Sequence, residues 1–415
     1  MKKSDGRSPG GQPGRSGHRL RLVALLAPPL VALAALLFSM VGLEIFLRVT
    51  GMQSPFLYRR DGQVCATHVA GLEVNLPGPE GRVKVRFNRA GYRDRERSTD
   101  KPPGTLRIAF LGDSFIEALQ VPFERTAGQV LEAALQKRLP ARRIEVLNLA
   151  SSGFGTDCCY LTFHHRGLSY QPDLVVLAFY IGNDVYDNHP ELANEPQKPF
   201  FYLSGDGSLR LQPFPVRDNS VKRWLRAHSR AFLFLRNRIE RLAVLRRVAV
   251  RFGLTQETTT LEERLRRGKE RKSNSIFVDP SSPLLEEAWD ITDRIIGKLA
   301  EETSRRGIPV VVLIIPSAEQ LDEDAARHYR EALSPAPGQR LDFKLPDRRI
   351  RRILERRNLP FVDLQDVFRS NGHPIGELYY PGEGHWTLLG NRLAADSLLG
   401  PILDLLGTSD KETGR

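Results

Sequence analysis

The chain has 415 residues, of which 41% are hydrophobic and 27% charged; this excludes a disordered polymer and suits one large α/β domain with insertions. Of its net charge of +12, residues 1–21 hold +5 and residues 217–251 hold +9, which leaves the remainder near neutral at −2. A nucleic-acid protein spreads positive charge over a folded face, whereas here the charge sits in a tail and one stretch, so no nucleic-acid partner is expected.

Residues 1–21 form a basic tail expected to stay in the cytoplasm. Leu22 to Leu43 is a run of 22 residues without a charge, and about 20 apolar residues span a bilayer. Six cations precede the run and only Arg48, Arg59 and Arg60 follow closely, which predicts a single-pass anchor over 22–48 with the C-terminal body extracytoplasmic. The alternative is a cleaved signal peptide. The run is longer than the usual apolar region of such a peptide, and its A-x-A (Ala32-Leu-Ala34) lies mid-run. Residues 49–104 read as a β-rich segment, with Arg82–Phe87 alternating as a half-exposed strand, and Lys101-Pro-Pro-Gly104 closes it.

From 105 to 406, short apolar strands alternate with helices. The strands are expected at 106–111, 144–149, 174–180, 310–315 and 361–364, and the helices at 126–139, 157–168, 284–306 and 348–357. This alternation implies a parallel sheet covered on both faces. Residues 185–282 interrupt it with a hairpin over 200–211, a basic stretch over 222–251, and a charged helix over 261–272 opened by the capping box Thr260-Leu-Glu-Glu263. Residues 407–415 are a polar tail. In the basic stretch, Phe232, Leu235, Ile239, Leu242 and Leu245 fall on one side of a helix. Such a helix either covers a core with its arginines in water, or rests on anionic headgroups.

In an open parallel sheet, ligands bind beyond the C-terminal ends of the strands. Four candidate residues fall there. Ser114 follows the first strand, Gly153 the second and Asn183 the third; His385 precedes the last helix, with Thr387 a good N-cap. A serine hydroxyl needs a neighbouring base to become a nucleophile, the base needs an orienting acid, and the tetrahedral intermediate needs donors. His385 is the candidate base and Glu383 the candidate acid. The Ser114 and Gly153 backbone amides and the Asn183 side chain are the candidate oxyanion donors. Read singly, each run has an ordinary account: Asp113 and Ser114 as a helix cap, Asn183-Asp184 as a turn.

These runs resemble the blocks of the SGNH, or GDSL, hydrolase superfamily. Gly112-Asp-Ser114 matches the nucleophile block, Gly153 the glycine block, Gly182-Asn-Asp184 the asparagine block, and Glu383-Gly-His385 the final acid–histidine block. The run Asn88-Arg-Ala-Gly-Tyr-Arg-Asp94 is similar to one that precedes the nucleophile in membrane-anchored members. Glu383 departs from the family, which usually has Asp there. The resemblance implies a three-layer, flavodoxin-like α/β fold of about five parallel strands with helices on both faces, here joined to an N-terminal transmembrane helix. It also implies a serine esterase acting on acetyl or short acyl esters of a small molecule, envelope polysaccharide or lipid. Two alternatives share the scaffold: an O-acyltransferase to a glycan using the same site, and a non-catalytic binding protein.

No cofactor and no metal are expected. Cys158 and His165 would stand about 10 Å apart along a helix, and Cys159 and His164 would point apart, so neither pair can share an ion. With Cys65 the chain has three cysteines, two of them adjacent, which is not a disulfide framework. Trp386 is a candidate pocket wall or a core residue.

Overall fold

The computed structural model describes residues 15–52, 56–214, 221, 224–225, 228–241, 274–333, 335 and 337–407. The charged helix expected over 261–272, its capping box and the 407–415 tail beyond residue 407 lie outside them. The chain divides into two units, one of Met1–Phe56 with Asn219–Thr255 and one of Leu57–Asp218 with Gln256–Arg415.

The larger unit is built on five parallel strands: β1 (Thr105–Leu111), β2 (Arg143–Asn148), β3 (Leu174–Tyr180), β4 (Val310–Ile315) and β5 (Phe361–Asp363). Their order in the sheet is β2-β1-β3-β4-β5, with every neighbouring pair parallel. That is the doubly wound flavodoxin-like order.

Alternation within each strand explains why both faces are covered. Along β4, Val310, Val312 and Ile314 enter one core and Val311, Leu313 and Ile315 the other. β1 and β3 divide likewise: Ala109, Leu111, Val175, Leu177 and Phe179 on the first face, Ile108, Phe110, Val176 and Ala178 on the second. Helices 156–165, 283–304 and 345–356 cover the first face; helices 127–138, 364–370 and 388–405 cover the second. A strand buried on both sides carries apolar residues at consecutive positions, which is why these segments read as runs.

Local signals set the element ends. Ser282 accepts from Leu285 N–H with Pro283 at the first helical turn, and Thr387 accepts from Gly390 N–H at 3.2 Å. The segment expected as one helix over 157–168 breaks at Arg166 into an α-helix and a 3₁₀ turn over Gly167–Tyr170. Ahead of the sheet lie two antiparallel hairpins, 58–68 and 73–86, and another joins Phe200–Leu203 to Leu209–Gln212.

The cysteines correct the sequence reading. Cys65 and Cys158 form a disulfide, Cα to Cα 5.8 Å, that ties the first hairpin to helix 156–165; Cys159 is free and buried. Two adjacent cysteines concealed a pair separated by 93 residues.

In the smaller unit a helix runs over Arg15–Thr50, and its segment Ala27–Thr50 is long and apolar enough to cross a membrane. A second helix, Arg230–Arg241, packs on it.

Candidate active site

β1 ends at Leu111, and the chain turns at once into a short helix, Ser114–Glu117. Gly112 is required by packing: a Cβ there would lie 2.6 Å from Ile116 Cγ1 and 3.0 Å from Ala178 Cβ. Asp113 is the N-cap, its carboxylate accepting from Phe115 N–H at 3.0 Å. The ordinary helix-cap reading therefore holds for Asp113, and it leaves the Ser114 side chain to point elsewhere.

Ser114 Oγ lies 2.7 Å from His385 Nε2, and Glu383 Oε1 lies 2.9 Å from His385 Nδ1. His385 and Glu383 are 24% and 34% exposed at their side chains, so this chain of contacts opens to solvent. The turn that presents them runs from Tyr379 to Trp386, which bridge antiparallel, and Tyr380 N–H donates to the His385 carbonyl at 2.8 Å. Gly384 sits at φ +81°, in the left-handed region, and this lets the chain fold back between Glu383 and His385. The longer Glu side chain is accommodated by that fold-back. Its Oε2 accepts His385 N–H at 3.0 Å, and Gln120 Nε2 donates to Oε1 at 2.8 Å. Three donors hold the carboxylate. Gln120 had no signal of its own in the sequence, being one polar residue after a helix.

Gly153 lies in the loop after β2 at φ +78°, exposed, with open space where a Cβ would be. Asn183 follows β3 and neighbours Asp113. Burial pushes the Asp113 carboxyl up to about 6, against the pull of Phe115 N–H, His385 and the Asn183 amide. Burial and Asp113 together push the Asp184 carboxyl well up. Trp386 is buried at 1% exposure, edge-on to Phe115 and Phe368; it supports the turn from behind and is not a pocket wall.

Behind the Ser114 turn lies a second set of polar residues that sequence reasoning did not single out. Glu117, fully buried, accepts from Ser152 N–H at 2.7 Å and from the Ser152 hydroxyl, and it meets His68 Nε2 and the Tyr58 hydroxyl. Burial raises its carboxyl, but His68 and the Ser152 hydroxyl and amide bring it below the usual carboxylate range. The Ser114–Glu117 helix is thereby bonded to the residue before Gly153. The Asn88–Asp94 run also acquires a physical account. Arg93, fully buried, donates to the carbonyls of Glu117, Ala118 and Val121, the last at 2.6 Å, and so holds the end of the Ser114–Glu117 helix. Asp94 accepts from Asn148 N–H at the end of β2. A cleft of about 640 Å³ opens beside Glu383, between Leu76–Pro79 of the second hairpin, Leu119–Gln120 and Pro381–Glu383.

Among the described residues no cluster of three His, Cys, Asp or Glu is arranged to hold a metal. Cys158 is bonded to Cys65, and His164 Nδ1 meets Glu302 at 3.0 Å.

Residues 280–413 match the family described as "SGNH hydrolase-like domain, acetyltransferase AlgX", a stretch that contains Glu383 and His385. That stretch also contains the last two strands of the parallel sheet, β4 and β5. Similar solved structures include LAE5, an alpha/beta hydrolase enzyme from the metagenome of Lake Arreo, Spain, at 15% identity over 74% of this chain and 97% of that one, with a TM-score of 0.38. Another is Axe2, an acetylxylan esterase from Geobacillus stearothermophilus, at 14% identity over 73% and 94%, with a TM-score of 0.38. A third, a two-domain esterase (CEX) active on acetylated mannans, is 13% identical over 74% of this chain and 51% of that one, with a TM-score of 0.37. All three are distant. No curated protein matches the chain in sequence.

Proposed function

We propose that the protein is a membrane-anchored serine esterase that cleaves acetyl or short acyl esters outside the cytoplasm, on an envelope polysaccharide, a lipid or a small molecule. The observation that carries this reading is the continuous chain of contacts Ser114–His385–Glu383, at 2.7 and 2.9 Å. His385 Nε2 takes the Ser114 hydroxyl proton as Oγ attacks the ester carbonyl. Glu383 holds the ring with Nδ1–H toward itself and stabilises the imidazolium that forms. The Ser114 and Gly153 backbone amides and the Asn183 side-chain amide receive the oxyanion. His385 then returns the proton to the departing alcohol, leaving an acyl group on Ser114 Oγ, and a water activated by the same ring releases it as the acid. The cleft beside Glu383 adjoins the turn that carries His385, which supports assigning it to the alcohol part of the ester.

Three features support an extracytoplasmic placement on an N-in anchor. They are the Ala27–Thr50 helix, the six cations ahead of it, and the Cys65–Cys158 disulfide, a bond that persists in oxidising compartments.

A second reading is favoured by one specific finding. The family matched over 280–413 is described by an acetyltransferase. In that case a sugar hydroxyl replaces water in the second half-reaction and the acyl group moves to a glycan, with the same residues in the same roles. A fluorophosphonate probe on the full-length protein in detergent tests the shared site. Labelling is expected in the wild type and lost in Ser114→Ala; absence of labelling in the wild type would instead favour a non-catalytic binding protein. Product analysis of a short-acyl ester, with and without a glycan acceptor, separates free acid from acylated glycan.

A further inference from the structure

The end of the apolar helix carries one carboxylate whose partners come from far along the chain. Glu44 is the first charge after the uncharged run that ends at Leu43, which places it at the boundary between hydrocarbon and headgroups for a helix that crosses a membrane. Its oxygens accept from the Ser229 hydroxyl at 3.0 Å, Arg230 N–H at 3.2 Å and Ala231 N–H at 2.9 Å. Those amides belong to the start of helix 230–241, where backbone N–H groups have no partner within the helix and a negative charge is favoured. Glu44 therefore caps a helix that begins 186 residues later. Two further bonds hold the same junction. Arg48, paired with Glu44 at 2.7 Å, donates to the His228 carbonyl at 2.6 Å, and Arg230 donates to the Leu47 carbonyl at 3.3 Å.

Helix 230–241 uses its small and inward residues, Ala231 and Leu233, for burial. Its other apolar side is left incompletely covered: Phe232 and Ile239 are half-buried and Leu235 is 38% exposed. Just before it, Val221 and Trp224 are 64% and 60% exposed. Among the described residues, the exposed large hydrophobic side chains are confined to this unit apart from Tyr202 and Leu211 on one hairpin. A helix that merely covered a core would have buried this stripe. Arg238 is exposed over the Phe234 ring at 5.1 Å, so cations share the surface with the apolar residues.

We propose that helix 230–241 lies in the plane of the membrane surface, pinned there by Glu44, with Val221, Trp224 and Leu235 entering the interface and the arginines meeting anionic lipid headgroups. Trp at the interface and arginines reaching to phosphate are the usual furniture of such a surface. The anchor's end and this helix then act as one foot. It rests on the anchor reading given above.

The test uses the full chain in phosphatidylcholine vesicles with and without phosphatidylglycerol. Cys65 and Cys158 are bonded and Cys159 is buried, so a thiol spin label goes to an introduced cysteine. Three single variants are compared: Leu235→Cys on the helix, Phe38→Cys in the apolar run, and Asp206→Cys on the exposed hairpin turn. The expected oxygen-to-nickel accessibility ratio is highest at 38, several-fold above the 206 value at 235, and lowest at 206. The ratio at 235 is expected to be larger with phosphatidylglycerol present. Adding Glu44→Ala is expected to bring 235 down toward the 206 value while 38 is unchanged. A hydrocarbon-like 38 with a water-like 235 overturns the foot alone. A water-like 38 overturns the anchor and the foot with it. Equal depth at 235 in both lipids overturns the role of anionic headgroups, and an unmoved 235 in Glu44→Ala overturns the pin.

Discussion

Two glutamate–histidine pairs flank the Ser114 turn, and they differ in what the second ring nitrogen meets. In Glu383–His385 the carboxylate holds Nδ1, and Nε2 faces the Ser114 hydroxyl, a group that can give up a proton. In Glu117–His68 the carboxylate meets Nε2, and Nδ1 meets the Gly91 carbonyl at 2.8 Å, a group that has none to give. The first pair is part-exposed; the side chains of the second are 0% exposed. Both ring nitrogens of His68 are occupied by protein oxygens, and neither faces a hydroxyl. On the proposed reading, the same two residue types serve as a base in one place and a cross-brace in the other. Solvent access and a hydroxyl neighbour decide which.

The comparison is tested most severely by Ser114→Ala. Loss of about 10⁴-fold or more in kcat is expected with the melting temperature unchanged; substantial residual turnover would mean that the exposed pair serves no nucleophile at 114. Asn183→Ala is expected to lower kcat by about 10²–10³, the cost of one oxyanion donor, and steady-state kinetics on a short-acyl ester reads it. An unchanged rate would remove Asn183 from the site.

The two glutamates should then part company. Glu383→Gln is expected to lower kcat by about 10²-fold, within the range for positioning a general base, at unchanged stability. Glu117→Gln strands a buried histidine, and breaking a buried pair costs about 3–5 kcal/mol, so denaturant unfolding should show the larger change there. If Glu117→Gln lost turnover while keeping its unfolding midpoint, the division between base and brace would fail.

A third carboxyl, buried and without a histidine, sharpens the point, with the smallest effect. Asp347 has the Gln320 amide but no histidine, and burial, with Asp363 nearby, pushes its carboxyl up to about 7. A carboxyl whose folded value is raised stabilises the fold below its unfolded value, near 3.8, and that contribution is lost as pH rises through about 7. Asp347→Asn should therefore be more stable than wild type at pH 8 by on the order of 1–2 kcal/mol. The gain should shrink toward pH 4, as thermal unfolding at the two values would show. A gain that grew on acidification would contradict the assignment.

The elements that could be read from the sequence are those whose cause is local. Each central strand is an apolar run because both its faces are covered, and each sits within a residue or two of its expected place. Ser114, Gly153, Asn183 and the Glu383–His385 turn each stand where a strand ends or a helix begins. Short helices such as 364–370 escaped because one or two turns carry too little periodicity to register.

By itself, then, the sequence determined the α/β alternation, the apolar helix near the N-terminus and the residue types at the sheet's C-terminal edge. Strand period, helix caps and glycine turns act over a few residues and leave their mark there. Only the tertiary structure decided which cysteine joins Cys65, that Arg93 holds the Ser114–Glu117 helix, that Gln120 steadies Glu383, and that Glu44 caps a helix 186 residues on. The last three satisfy polar groups with partners distant in the chain, and the disulfide joins two buried cysteines 93 residues apart; such neighbours exist only after the chain has folded.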